Sequence, residues 1–283
     1  MNSAAQGSAP SQITIDQAIA AVGGSLSDLN YYNIQLTRYK WIAEQLLKYV
    51  PVGSMVGDIG AAPGHISRMV RKIGYEVTAF DFDPDKEMWE APGVLGFAQV
   101  MRNEGIKVVH WDVEVVDPST VPEKPEAPGT LDAVVFTEIL EHIYRYPFAS
   151  VRQVAHLVKP GGYFVLTTPN RGYAWFRIKA LFGRASDTDF ELLKDPFPPH
   201  MRHVWQYTLD ECCKIIEAAG FDVVVKEVKS FHLWTSRSSD GTTTSTWRPT
   251  NIKQILKLPL ALFLTAFPTF GSTVCVVARK RSN

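Results

Sequence analysis

Cysteine is scarce. The 283 residues hold three, with Cys212 and Cys213 adjacent in a helical pattern and Cys275 in an expected strand. No disulfide framework and no cysteine-based metal spacing can be built from that set, which suits a reducing cytosol and a cytoplasmic protein. An excess of charge of either sign is also missing. Lys and Arg number 29, as do Asp and Glu, so no global basic field points to nucleic acid as a partner. Nor is there a long apolar run. The longest stretch, 255–267, contains Lys257 and Pro259 and falls short of the roughly 20 residues that a membrane span requires. A buried helix or a cover over a substrate is expected there. The opening MNSAAQGSAPSQ lacks a basic start followed by an apolar run, so residues 1–12 read as a disordered tail and not a secretory signal.

What is present is enough apolar material, 46% of the chain, to bury a full core. Helical spacing of apolar residues covers 14–24 and 31–50, the second ending at Pro51, so residues 13–50 form N-terminal helices. Short apolar runs then alternate with helical patterns: SMVGDIG, a helix from about Pro63 to Ile73, YEVTAFD, IKVVHWD, LDAVVFT, a helix from about Tyr144 to Val158, and GGYFVLTT. Such alternation predicts a mostly parallel sheet with helices on both faces, whose ligands sit outside the carboxyl ends of the strands. The stretch 117–130, with PEKPEAPG, reads as a surface loop. Beyond Thr168 come an excursion rich in aromatics, Arg and Pro (169–207), a helix at TLDECCKIIEAAG, a strand at FDVVVKEV, a Ser/Thr-rich loop (235–246), an apolar helix and a last strand at STVCVVARK.

The loop GDIGAAPGH (57–65) follows the first strand and opens a helix, where glycines let a backbone approach a ligand and helix amides favour a negative group. It ends Gly64-His65-Ile66, without the lysine and hydroxyl that a phosphate-binding loop carries. Gly60 and Gly64 are separated by Ala-Ala-Pro, which is not the three-glycine dinucleotide pattern. Asp81 ends the second strand, where a carboxylate can accept both hydroxyls of a ribose. Asp112 ends the third, where it can accept from an adenine amine. A ribose and an adenine without phosphate suggest an adenosyl group. For either aspartate alone, helix capping is the blander account.

These residues resemble the class I S-adenosylmethionine-dependent methyltransferases over roughly 30–230, through VGDIGAAPG, TAFDFDP, WDVE, LDAVVFTEILEH and LVKPGGYFVLTTPN, with STVCVVARK similar to the family's seventh strand. The resemblance implies a Rossmann-like α/β fold with a seven-stranded, mostly parallel sheet spanning 51–283, and cap segments at about 169–207 and 231–267. It also implies that Asp58, Gly60, Ala62 and Gly64 line the methionine end of S-adenosylmethionine, Asp81 the ribose, and Asp112 with Val113 the adenine. Phe82 and Thr137 are further implied cofactor contacts. The family usually has glycine where this chain has Ala62.

TEILEHIYRYP (137–147) follows the fourth strand. If helical, it sets Glu138, Glu141 and His142 on one face. Two uses compete. His142 can be the general base that takes a proton from an acceptor hydroxyl, or Glu138, Glu141 and His142 can ligate Mg, Mn, Fe or Zn, which lowers that hydroxyl's pKa. PPHMRHVWQYTLDE adds His200 and His203, and His203 is the candidate fourth ligand or second catalytic histidine. The ExxEH pattern with a distant histidine resembles metal-dependent small-RNA 2'-O-methyltransferases. With TTPN it resembles quinone-biosynthesis O-methyltransferases, and the histidine, threonine and following helix resemble bacterial sugar and natural-product methyltransferases. The stretch 171–184 interleaves Arg171, Arg177, Lys179 and Arg184 with Tyr173, Trp175, Phe176 and Phe182. It reads as an amphipathic cover over the acceptor, joined by Tyr31, Tyr32 and the 231–267 region.

The expectation is an enzyme that methylates a hydroxyl of a sugar, glycoside, polyketide or phenolic small molecule. Glu138, His142 and His203 are the candidate catalytic groups. An RNA 3'-end methyltransferase and a non-catalytic adenosyl-binding protein remain the alternatives.

Overall fold

The computed structural model describes residues 13–26, 30–82, 96–114, 128–183, 203–237, 243–246, 249, 252–255 and 257–282. The expected tail, His200, Arg184 and most of the polar loop at 117–130 lie outside the described residues. Two N-terminal helices, α1 (Ile15–Gly23) and α2 (Asn30–Tyr49), precede the alternating units. A capping box starts α1, with the Thr14 side chain accepting from the Gln17 amide and the Gln17 side chain accepting in return, which satisfies two otherwise orphaned donors.

The units are β1 (Met55–Ile59), α3 (His65–Ile73), β2 (Glu76–Asp81), α4 (Phe97–Asn103), β3 (Lys107–His110), β4 (Leu131–Thr137), α5 (Pro147–Leu157), β5 (Val158–Pro169), α6 (Ala174–Leu181), α7 (Leu209–Ala218) and β6 (Phe221–Lys229). A hairpin of β7 (Trp234–Arg237) and β8 (Thr243–Thr246), then α8 (Ile252–Ile255) and α9 (Leu258–Ala266), lead into β9 (Thr273–Lys280). The seven-stranded sheet runs in the order β3-β2-β1-β4-β5-β9-β6. Its strands are parallel except β9, which is antiparallel to both β5 and β6.

Both faces are covered over the middle of the sheet, so β4, β5 and β9 are largely buried and apolar, whereas the edge strand β6 alternates with exposed residues. On β4, Ala133 and Val135 face the cluster built by α1 to α4, whereas Val134 and Phe136 face the one built by α5 and α7. The edge where β1 to β5 end is therefore held from both sides.

Five expectations are corrected. The strands begin and end close to their predicted places, but α4 fills a stretch with no predicted helix, and the Ser/Thr-rich loop contains the β7–β8 hairpin. The apolar helix is interrupted between α8 and α9. It is not buried: of the α9 residues only Leu264 is. The helix expected from about Tyr144 starts at Pro147, which takes the first helical position, where its missing N–H costs nothing.

Candidate active site

The order β3-β2-β1-β4 sets Asp112, Asp81, the Gly60–Gly64 loop and Thr137 side by side along the carboxyl edge. The loop is shaped by its neighbours. Gly60 and Ala61 donate their amides to Phe80 O at 2.8 and 3.1 Å, and Ala62 donates to Asp81 Oδ2 at 2.9 Å. Gly60 (φ 68°) lies under the Ile139 side chain, which a Cβ at this position would strike. Gly64 (φ 83°) precedes α3, whose first turn has no side-chain cap, so its amides keep their preference for an anion.

Asp58 is buried at the base of the loop, and Ser67 Oγ donates to its Oδ2 at 2.6 Å. Burial raises its pKa from 3.8 to about 7, helped by the Asp81 charge and opposed by the Ser67 hydrogen bond. Asp81 thus shapes the loop as well as facing the edge. Asp112 Oδ1 accepts from the Glu114 amide at 2.8 Å, a local turn, and Val113 packs against the core beside it. Phe82 directly follows β2, and Thr137 is buried at the end of β4.

The cleft beside the loop is walled by residues from α2 as well as by the strand ends. Tyr31, Arg38 and Tyr39 line it together with Asp58, Gly60 and Glu138. Arg38 is 4% exposed, and its Nη1 lies 2.8 Å from Glu138 Oε2. Burial opposes the Arg38 charge, but Glu138 and the nearby tyrosines more than restore it, so the guanidinium is firmly protonated. Its Nε finds no hydrogen-bond partner among the described residues. His65 sits behind the loop, edge-on to Tyr32, with its Nδ1 3.1 Å from the Tyr39 hydroxyl. Burial, reinforced by Arg68, lowers its pKa to about 4, which keeps the imidazole neutral. Tyr32 belongs to the core: its hydroxyl donates to Ile19 O at 2.6 Å.

TEILEH does not form the predicted helix. The Glu138 amide donates to Thr167 O at 2.8 Å, extending the β4–β5 pairing, and the chain then turns through a left-handed Glu138 (φ 56°) into one 3-10 turn, Leu140–His142. The expected common face of Glu138, Glu141 and His142 is therefore lost. Glu138 turns to Arg38 and accepts from Thr167 Oγ1 at 2.9 Å.

Glu141 and His142 instead meet His203. The amides of Val204 and Trp205 donate to Glu141 O at 2.8 and 3.4 Å, and Arg171 donates its amide to Tyr207 O at 3.0 Å, which ties 203–207 to the end of β5. The His142 and His203 rings pack edge to face with centroids 4.9 Å apart, and His142 Nε2 is 4.0 Å from Glu141 Oε1. One donor atom from each of the three lies within 4.8 Å of the others. Glu141 is fully buried, and Thr168 Oγ1 donates to its Oε2 at 2.9 Å, while Oε1 accepts no hydrogen bond from the described residues. Burial, with the Glu138 charge, holds its pKa well above the usual carboxylate range.

Arg38 and Tyr39 escape the motif reading. One signal for Arg38 exists: it interrupts the i, i+4 row Ile34, Ile42, Leu46 on α2. A lone cation on an apolar row needs a buried partner.

A family model described as a methyltransferase domain matches residues 35–227. The ubiquinone biosynthesis O-methyltransferase of Xanthomonas campestris pv. campestris (strain B100) is 34% identical over 126 residues, which are 44% of this chain and 47% of that protein. The chain thus spans about half the length of the curated relatives it matches. Among solved structures, a SAM dependent methyltransferase from Archaeoglobus fulgidus superposes with a TM-score of 0.50 at 16% identity, covering 88% of this chain and 99% of its own. The Burkholderia thailandensis 1,6-didemethyltoxoflavin-N1-methyltransferase, solved with bound 1,6-didemethyltoxoflavin and S-adenosylhomocysteine, gives 0.50 at 15% identity, covering 100% and 99%. At those identities the two structures speak for the fold.

Proposed function

The chain belongs to the methyltransferase domain family, and on that premise we propose that it transfers the methyl group of S-adenosylmethionine to a hydroxyl oxygen of a small molecule. The observation that carries this reading is the Glu141–His142–His203 group beside the loop and Thr137 edge. In the transfer the acceptor oxygen bonds to the methyl carbon, the carbon–sulfur bond breaks with its electron pair going to sulfur, and the hydroxyl proton needs a base. A neutral imidazole suits that task. His142 is the base in this account, and the Glu141 carboxyl and the His203 ring fix its orientation.

The donor has a home along the strand ends. Asp112 and Val113 take the adenine side, Asp81 and Phe82 the ribose side, and Asp58 with the Gly60–Gly64 loop the methionine end. Arg38 adds a guanidinium for the donor carboxylate, and its unpartnered Nε is the available donor. Most of the rate comes from alignment: the loop and Thr137 hold the sulfonium so that the acceptor oxygen starts roughly 3 to 3.5 Å from the methyl carbon. The relatives named as ubiquinone biosynthesis O-methyltransferases favour a phenolic oxygen over the sugars and polyketides also expected as the acceptor.

One observation favours a metal-assisted version. Among the described residues, Glu141 Oε1 is buried without a hydrogen-bond partner inside a set of one carboxylate and two imidazoles, a donor set that fits Zn, Mn or Fe. Glu141, His142 and His203 would hold such an ion, which would supply a Lewis acid that lowers the hydroxyl pKa. Glu138, one of the four expected ligands, is engaged by Arg38, and that weighs against the four-ligand RNA alternative.

The test is His142→Ala, assayed against a panel of phenols, catechols and glycosides with isotopically labelled S-adenosylmethionine. Turnover should fall by about 10² to 10⁴ with S-adenosylhomocysteine affinity unchanged. Wild-type turnover in the variant would remove His142 from the mechanism, and no product from any hydroxylated acceptor would defeat the reading.

A further inference from the structure

At the end of β6 the chain makes a tight turn, in which the Leu233 amide donates to Ser230 O at 3.1 Å. β6 and this turn are pinned to α2. Trp41 Nε1 donates to Glu227 Oε1 at 2.7 Å, Thr37 Oγ1 donates to Phe231 O at 2.9 Å, and the Phe231 and Trp41 rings lie with centroids 6.3 Å apart. The consequence falls on the next residue. His232 is carried against Ile34 and Arg38, which are one turn apart on α2, and its ring hydrogen-bonds to the Ile34 backbone.

A neutral imidazole has one N–H and one lone pair. Burial, reinforced by the Arg38 charge, keeps the His232 ring neutral, against the Glu138 charge and the Ile34 hydrogen bond. That bond favours the protonated ring, as donation to a carbonyl does, so the single proton goes to Ile34 O. Nδ1 is buried and has no hydrogen-bond partner among the described residues, so the bond to Ile34 comes from Nε2 and the Nδ1 lone pair is the one left over. A buried acceptor without a donor is costly. At the rim of a cleft it marks the place of a polar group on the ligand.

The route of the chain says which ligand. The donor is read along β3, β2, β1 and β4, whereas β5 and β9 separate β4 from β6. A residue delivered by the turn after β6 therefore comes to the cleft from the side away from the adenosyl row. The charged groups that act on it there are Arg38 and Glu138, and Glu138 directly follows Thr137 at the end of β4.

We propose that His232 is a specificity-determining residue of the acceptor site, its Nδ1 accepting a hydrogen bond from a hydroxyl or amino group of the acceptor other than the oxygen that is methylated. The proposal rests on the methyl-transfer reading above and adds a second anchor to it. His142 serves the reacting oxygen, and His232 holds the second group, so the acceptor cannot rotate about the first contact. An acceptor without that group leaves Nδ1 buried and unpaired, the case in which a hydrogen-bonding site discriminates most strongly.

The test is an NMR titration of the full chain, loaded with S-adenosylhomocysteine, with catechol and with phenol, two probes that differ by one hydroxyl. The wild type should hold catechol more tightly. Two variants separate the ring nitrogens. The amide of His232→Gln reaches the Nε2 position and keeps a donor for Ile34 O, whereas the shorter His232→Asn places its oxygen at the Nδ1 position. His232→Gln should weaken catechol roughly tenfold and leave phenol, S-adenosylhomocysteine and the circular dichroism spectrum unchanged. His232→Asn should restore most of the preference for catechol. A histidine that only braces the turn would give the reverse order, because His232→Gln keeps the Ile34 bond. The proposal is overturned by that reverse order, by a loaded wild type that holds catechol no better than phenol, or by a loss of S-adenosylhomocysteine affinity in His232→Gln, which would put His232 on the donor. Should His232→Gln fail to fold, the wild-type preference and its retention in His232→Asn decide. A wild type that does not bind S-adenosylhomocysteine at all would bring down the methyl-transfer reading, and the proposal with it.

Discussion

A carboxyl group buried under a glycine loop, like that of Asp58, costs the free protein stability whenever it ionises. Its folded pKa of about 7 lies above the unfolded 3.8, so the folded chain keeps a proton that the unfolded chain has already released. The sign follows from that. Stability is highest near and below the unfolded pKa and is lost as pH rises toward and through the folded one. Relative to Asp58→Asn, which keeps an acceptor for Ser67, the wild type should lose up to about 4 kcal/mol between about pH 4 and about pH 8. Urea unfolding of both proteins across that range is the check, and parallel curves would remove Asp58 as the source. Arg38 makes the opposite kind of claim. Arg38→Ala leaves Glu138 without its cation and should cost roughly 2 to 4 kcal/mol, and Glu138→Gln in the same chain should recover part of that loss. A double variant that loses the sum of the Arg38→Ala and Glu138→Gln single losses would show that the pair is not coupled. Asp81 and Asp112 could be singled out from sequence because one ends a strand and the other lies just past one. Arg38 could be suspected from its interrupted apolar row, but not paired, because its partner lies 100 residues away in a turn that local spacing misreads.

The elements explain that misreading. Glu138, Glu141 and His142 have the spacing of a helical face, but the Glu138 amide is committed to Thr167 O, so β4 outcompetes the helix for the first residue of the motif. Only one tight turn is left. His203 reaches His142 through backbone bonds from 204 and 205 to Glu141 O, a long-range contact with no periodic signature. The strands were legible because burial on both faces writes continuous apolar runs. The β7–β8 hairpin was not, since its Ser and Thr residues resemble loop composition. The glycine loop yields a direct test. Gly60→Ala should cost about 1 to 2 kcal/mol for its left-handed backbone alone, more for the collision with Ile139, and should weaken S-adenosylhomocysteine binding. Ile139→Ala added to it should recover stability beyond the sum of the single effects. Thermal unfolding and calorimetry of the three proteins measure this, and strict additivity would mean that Ile139 does not bear on the loop.

For the whole molecule, the sheet order brings the ends of four strands from distant parts of the sequence into one row, and no single motif contains that row. The sequence could suggest it only through the resemblance of several motifs in order. What it could not disclose is the fate of α9, because an apolar helix and a buried helix have the same composition, and only the exposure of Leu262 and Phe267 separates them. The central claim is that this row is an adenosyl site serving methyl transfer. Calorimetric titration of the chelator-treated full chain with S-adenosylhomocysteine, beside Asp81→Ala, tests it most directly. The account predicts one equivalent bound by the wild type without added metal, and weaker binding by the variant. No binding by the wild type, or equal affinity in the two proteins, would contradict it.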